Sequence, residues 1–149
     1  MVFAADSMLG RLARWLRVMG HDVLFQSGYD IGDLRRFSSE GRIVLSRKKS
    51  LMGEDIRLIF IRSDKVREQL IEVDSVTGLR KCATEWFSRC IECNYLLEKA
   101  DPEGWGEGIP EYVFYNMRGK IRRCPACGRF FWPGSHRKRM EEQLKKWGF

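Results

Sequence analysis

The residues of this chain whose types and spacing most plainly suit chemistry are four cysteines in two pairs, Cys90-Ile91-Glu92-Cys93 and Cys124-Pro125-Ala126-Cys127, the second followed by Gly128. A C-x-x-C unit can bend so that both thiolates meet one ion, and two such units complete a closed tetrahedral site for a structural Zn²⁺. Gly128 supplies the tight turn that follows such a pair. A fifth cysteine, Cys82, falls in an apolar stripe and reads as a buried free thiol. An odd cysteine count dominated by two matched pairs points to metal rather than disulfides in a reducing compartment. One metal explains both pairs at once, which a redox role for either does not. His136 is a rival ligand, but four thiolates already complete the site. The core around them is small, so the metal should supply much of the folding free energy of this half.

Carboxylates form the second constellation. Asp6 ends the short apolar run Val2-Phe3-Ala4-Ala5, and Asp30 and Asp33 stand at the start of a second patterned helix. In a parallel sheet these positions fall at the C-terminal edge, where open α/β sheets place their ligands, so Asp6, Asp30 and Asp33 can converge on one cleft. Converging carboxylates repel one another unless they hold a divalent cation. Mg²⁺ or Mn²⁺ held this way can activate water and bind a scissile phosphate. The same residues also read as helix caps: Asp6 or Ser7 for the first helix, Asp30 or Ser27 for the second.

The elements that must position these groups alternate. Val2–Ala5 reads as a strand. Ser7 to Met19 reads as an amphipathic helix, with Met8, Leu9, Leu12, Ala13, Leu16 and Met19 at three- and four-residue spacing and Gly20 as its stop. Arg11, Arg14 and Arg17 recur every three residues and are expected to share a broad solvent-facing side, where a phosphate backbone could be held. Further strands are expected at Asp22–Phe25, Ile43–Leu45 and Arg57–Ile61, and helices at Asp33–Glu40 and Asp64–Val73. The short, wholly apolar runs suit buried parallel strands, and the alternation makes a parallel sheet with flanking helices the economical fold. Ser75 to Arg89 is expected to be helical, with Leu79, Cys82, Ala83, Trp86 and Phe87 as its stripe. The composition then changes. Leu97 to Pro110 reads as a hairpin loop, Tyr112-Val113-Phe114-Tyr115 as a short strand, and Arg137 to Trp147 as a charged helix. These expectations divide the chain into an α/β domain over residues 1–88 and a zinc ribbon with a basic C-terminal helix over residues 89–149.

The chain has 149 residues, 44% of them apolar and 32% charged, as in globular proteins. No apolar run approaches the roughly 20 residues that span a bilayer, and the N-terminus meets an aspartate and then arginines where a signal peptide would carry its apolar core. A cytoplasmic protein with no membrane partner is the expectation. A balance of 27 Lys and Arg against 20 Asp and Glu gives a net charge of +7, which favours polyanions, nucleic acid first. Cations gather beside the second cysteine pair, at Lys120, Arg122 and Arg123. They recur after Trp132, where His136, Arg137, Lys138 and Arg139 mix with aromatics in a way that suits base stacking and phosphate pairing. Phe130, Phe131 and Trp132 also read as cover for the ribbon core.

Phe3-Ala4-Ala5-Asp6-Ser7-Met8-Leu9-Gly10-Arg11-Leu12-Ala13-Arg14-Trp15-Leu16-Arg17, then Asp30 to Asp33, Ile43-Val44-Leu45-Ser46-Arg47, the paired cysteines and Phe130-Phe131-Trp132-Pro133-Gly134-Ser135-His136 together resemble the PIN-like ribonuclease domain at the C-terminus of the mutator-seven nuclease. The resemblance covers nearly the whole chain. It implies a PIN-like α/β fold joined to a zinc ribbon, and a metal-dependent ribonuclease in which Asp6, with an acidic residue from Asp30 or Asp33, binds Mg²⁺ or Mn²⁺. The sequence departs from that pattern at one place. Where the family reads Thr-Arg-Asp after the third strand, this chain has Ser46-Arg47-Lys48, so a carboxylate is replaced by a cation that repels a divalent ion and attracts phosphate. Either the site works with fewer acids, recruiting Glu54 or Asp55, or it has lost catalysis and kept RNA binding. Three functions follow: a ribonuclease contacting RNA through Arg11, Arg14, Arg17, Arg47, Lys48, His136 and Arg137; an RNA-binding protein with a degenerate site; and a module that docks a protein partner on its ribbon.

Overall fold

A computed structural model describes residues 1–82, 85–100 and 108–149, which form two compact units, Met1–Trp86 and Phe87–Phe149. In the first, four strands make one parallel sheet: β1 (Val2–Ala5), β2 (Asp22–Phe25), β3 (Ile43–Ser46) and β4 (Leu58–Phe60), in the order β2-β1-β3-β4. Every residue of β3 is buried, as are Phe3, Ala4 and Ala5 of β1. Continuous apolar runs of this kind are what a central parallel strand covered on both faces requires. The chain passes from β1 to β2 on one side and then crosses to β3 on the other, so the winding reverses between β1 and β3. Ligands of open α/β sheets sit outside the C-terminal ends of the strands at such a reversal.

Three helices cover the sheet: α1 (Gly10–Val18), led in by a single 3₁₀ turn at Ser7–Leu9; α2 (Ile31–Ser39); and α3 (Val66–Thr77). Leu12, Ala13, Leu16 and Val18 of α1 are buried. Leu34 and Phe37 of α2 pack with Ala4, Val44 and Leu51.

The helix expected over Ser75 to Arg89 is not found among the described residues. Instead α3 runs on through Thr77, where Gly78 takes a left-handed φ of 68° and its N–H closes on the Asp74 carbonyl at 2.7 Å. That conformation ends a helix, and a 3₁₀ turn, Leu79–Lys81, follows it. Ala83 lies outside the described residues, Trp86 and Phe87 sit in a turn, and Cys82 is half-buried.

In the second unit β5 (Glu98–Lys99), β6 (Arg122–Arg123) and β7 (Phe130–Phe131) form a small antiparallel sheet in the order β5-β6-β7, accompanied by α4 (Glu111–Asn116) and α5 (Ser135–Trp147). The strand expected at Tyr112–Tyr115 is α4. Strand alternation would have put Val113 and Tyr115 on one face, yet Val113 is 0% exposed and Tyr115 65%. The governing period is that of a helix: Ile109, Val113 and Met117, four apart, pack together with Phe114 and Ile121. Pro110, extended at the N-cap, lacks the N–H that a helix start would leave unpaired. Part of the hairpin expected over Leu97 to Pro110, residues 101–107, lies outside the described residues. No helix among the described residues is long and apolar enough to cross a membrane.

Candidate functional site

Asp6 sits at the end of β1, on the side facing β3. Its backbone N–H donates to the Leu45 carbonyl at 3.1 Å, carrying the β1–β3 ladder one residue past the strand. Its side chain is 3% exposed and receives three donors. The Met8 N–H reaches Oδ1 at 2.9 Å, which makes Asp6 the cap of the Ser7–Leu9 turn. The Ser46 hydroxyl and the Arg47 N–H, the latter at 3.2 Å, both reach Oδ2. Ser46 Oγ in turn accepts the Lys48 N–H at 3.0 Å. Asp6 is therefore both a cap and a carboxylate fixed across the reversal point of the sheet. Ser46 is the partner that the sequence did not single out for this role. A hydroxyl closing the otherwise apolar run Ile43-Val44-Leu45 was the available clue.

Asp30 and Asp33 are engaged with each other. The Asp33 N–H donates to Asp30 Oδ1 at 2.8 Å and the Asp30 N–H to Asp33 Oδ2 at 3.4 Å, a reciprocal capping box at the start of α2. Arg36 adds an ion pair to Asp33 Oδ1 at 3.1 Å. Among the described residues, the group of His, Cys, Asp or Glu ligand atoms lying within 4.8 Å of one another is the cysteine cluster. Asp6, Asp30 and Asp33 are not gathered that closely. Glu54, a candidate recruit, is paired with Arg35 at 2.6 Å, and Asp55 is exposed. A cation placed against Asp6 would find one carboxylate with three of its acceptor positions already used. Its remaining oxygen ligands would have to come from water and phosphate, an arrangement Mg²⁺ commonly adopts.

The basic residues of this unit separate. Arg11 and Arg14 are exposed on α1, and Lys48 and Lys49 are exposed beyond β3. Arg17 is not on the solvent-facing side: it is 5% exposed, and its Nε and Nη2 donate to the Val23 carbonyl at 3.1 and 2.7 Å. A three-residue spacing falls about 60° short of a full turn at each step, so two steps swing Arg17 roughly 120° from Arg11, into the protein.

In the second unit Cys90, Cys93, Cys124 and Cys127 bring their sulfurs within 4.8 Å of one another. Zn–S bonds of about 2.3 Å in a tetrahedron place sulfurs about 3.8 Å apart. The Cys90–Cys127 separation is 3.9 Å. The two knuckles are built alike. The Asn94 N–H closes on the Cys90 carbonyl and the Gly128 N–H on the Cys124 carbonyl, each at 2.9 Å, with φ of 68° and 73° at the closing residues. Asn is among the few residues that adopt this left-handed conformation readily, so Asn94 does in the first knuckle what Gly128 does in the second. Burial pushes the Cys93 thiol up to about 12, and the Arg129 N–H draws Cys127 down to about 7. Gathered thiols cannot all ionise side by side without a cation among them. Ligand set, spacing and turns are those of a zinc ribbon. His136, exposed in the first turn of α5, is not part of the cluster, and Arg137 beside it stacks over the Phe87 ring at 4.6 Å.

Comparison with curated proteins and with solved structures returned no match. The Mut7-C RNAse domain family model matches residues 1–144. That span takes in both the sheet edge that fixes Asp6 and the four-cysteine cluster, and it gives the protein a ribonuclease-related role: the chain belongs to the Mut7-C RNAse domain family.

Proposed function

We propose that the protein is a metal-dependent ribonuclease that hydrolyses RNA phosphodiesters at the C-terminal edge of its parallel sheet. The observation that carries this reading is the Asp6 carboxylate, held by Met8, Ser46 and Arg47 at the reversal point between β1 and β3. Mg²⁺ or Mn²⁺ bound there would polarise the scissile phosphate and lower the pKa of a bound water. Asp6 would be its ligand, with Asp30 or Asp33 as the further acidic residue of the site. The chain's own groups do the positioning. The Ser46 hydroxyl and the Arg47 N–H keep Oδ2 oriented, while Lys48, Arg47, Arg11 and Arg14 hold phosphates of the strand. Arg137 supplies a cation from the ribbon unit, and His136 beside it a polar ring. The fold reading that goes with this is a PIN-like nuclease domain over residues 1–88 and a structural zinc ribbon with its basic helix over residues 89–149, in the reducing cytoplasm.

A second reading is favoured by Lys48. An exposed cation stands where the family carries a carboxylate, and Arg35 occupies Glu54, the acid that would compensate. On that reading the site binds RNA without cutting it. The ribbon as a protein dock is a third use of the same surface. Labelled single-stranded RNA incubated with Mn²⁺ separates them, with an Asp6→Asn variant shown by circular dichroism to be folded run alongside. Cleavage by the wild type alone supports the ribonuclease, whereas cleavage by both proteins or by neither removes it. Salt-sensitive binding without cleavage supports the second reading.

A further inference from the structure

We propose that the Phe87–Phe149 unit carries a nucleotide pocket that takes one base and its phosphate from single-stranded RNA. This deepens the RNA reading above and rests on it. A cavity of about 290 Å³ opens between the small sheet, α4 and the start of α5. Small-ligand sites begin at roughly 300 Å³, so it suits one nucleotide and nothing much larger. Its aromatic surfaces include Tyr112, Phe131 and Trp132, and its cations include Lys120, Arg122 and Arg137. Among the described residues that line it there is no aspartate or glutamate.

The local fold explains why these two kinds of group meet. Register sets Arg122 of β6 opposite Phe131 of β7, so a guanidinium and a ring are neighbours across one strand pair. The first turn of α5 brings Arg137, whose guanidinium is held over Phe87 at 4.6 Å and so is oriented before any ligand arrives. α4 brings Tyr112, 61% exposed, a large ring that the unit's own core does not use. Phe131 and Trp132 are only half-buried: Phe131 leans on the cysteine cluster and Trp132 on the core of α4. The rings therefore do both things the sequence offered as alternatives, covering the core with one part of their surface and lining the cavity with another.

An acidic peptide would satisfy the cations and leave the rings in water. A nucleotide satisfies both, because every base has a face that stacks on an aromatic ring and every linkage has a phosphate for a cation. The base must be unstacked to enter, which selects single strands over duplex.

The test uses the full chain without added divalent cation. A fluorescein-labelled oligouridine of about twelve nucleotides and an abasic strand of equal length are each titrated by fluorescence anisotropy. Tyr112→Ala, at an exposed position, is expected to weaken oligouridine binding about fivefold or more and to leave the abasic strand unaffected. Arg137→Gln is expected to weaken both strands and to lower the salt slope by about one unit. Failure of the wild type to bind oligouridine, or wild-type binding by both variants, overturns the pocket. Pocket-dependent binding without Mn²⁺-dependent cleavage removes the ribonuclease and keeps the pocket. Cleavage with wild-type binding by both variants does the reverse.

Discussion

Replacing Ser46 with alanine removes the hydroxyl that orients Asp6, and the size of the effect follows from the contacts. A hydrogen bond to a charged acceptor contributes about 1.5–3 kcal/mol, toward the upper part of that range where water cannot replace the lost partner. Asp6 is 3% exposed and Ser46 0%, so Oδ2 would be left with the Arg47 N–H at 3.2 Å as the donor the fold still supplies. The second bond lost, from the Lys48 N–H to Ser46 Oγ, begins at an exposed residue where water can take over, and it adds little. The expected cost is about 2 kcal/mol, which for a unit the size of Met1–Trp86 lowers its melting temperature by about 8–16 °C. Urea denaturation of the full chain, followed by amide resonances of β1 and β3, reads this directly. Ser46→Thr keeps the hydroxyl and should recover most of the loss. A cost below about 0.5 kcal/mol for Ser46→Ala would show that Oδ2 does not depend on this hydroxyl, and the account of how Asp6 is fixed would fall.

Other consequences are as concrete. Stripping zinc with a chelator should collapse the amide dispersion of residues 87–149 while the parallel sheet of residues 1–86 stays folded, because the two small cores beside the cysteines cannot hold that unit alone. Acid should do the same, since the ligands must be thiolates. At Asn94, with its φ of 68°, alanine should cost about 1–2 kcal/mol in denaturation of the zinc-loaded protein, and glycine should cost less. Asp30→Ala should lose the cap of α2, about 1 kcal/mol of stability. If RNA cleavage survives that change intact, Asp30 serves the helix and not the reaction.

Where the sequence was legible, one physical signal decided the outcome. Phe3-Ala4-Ala5 and Ile43-Val44-Leu45 are wholly apolar because central parallel strands are covered twice. Asp30 and Asp33 carry a capping pattern that needs no tertiary context. The paired cysteines were legible because thiolate chemistry fixes their spacing. Where reading failed, two signals competed. Tyr112-Val113-Phe114-Tyr115 has strand-forming residue types, but the burial of Ile109, Val113 and Met117 imposed the helical period. Leu79, Cys82, Trp86 and Phe87 kept a helical spacing that the left-handed turn at Gly78 cancels. Arg17 shared a spacing with Arg11 and Arg14, yet the drift of that spacing around the helix carried it inside. The carboxylates were the hardest case: sequence can place Asp6 and Asp30 at one sheet edge, but it cannot say whether their oxygens are free or already engaged as caps.

The most direct measurement is anomalous diffraction from crystals of the zinc-loaded protein soaked in Mn²⁺ with a non-hydrolysable single-stranded RNA. A manganese peak against Asp6, with an RNA phosphate oxygen on the same ion, is the predicted result. RNA bound with its phosphate on Lys48 and no manganese beside Asp6 would contradict the ribonuclease and leave an RNA-binding protein in its place.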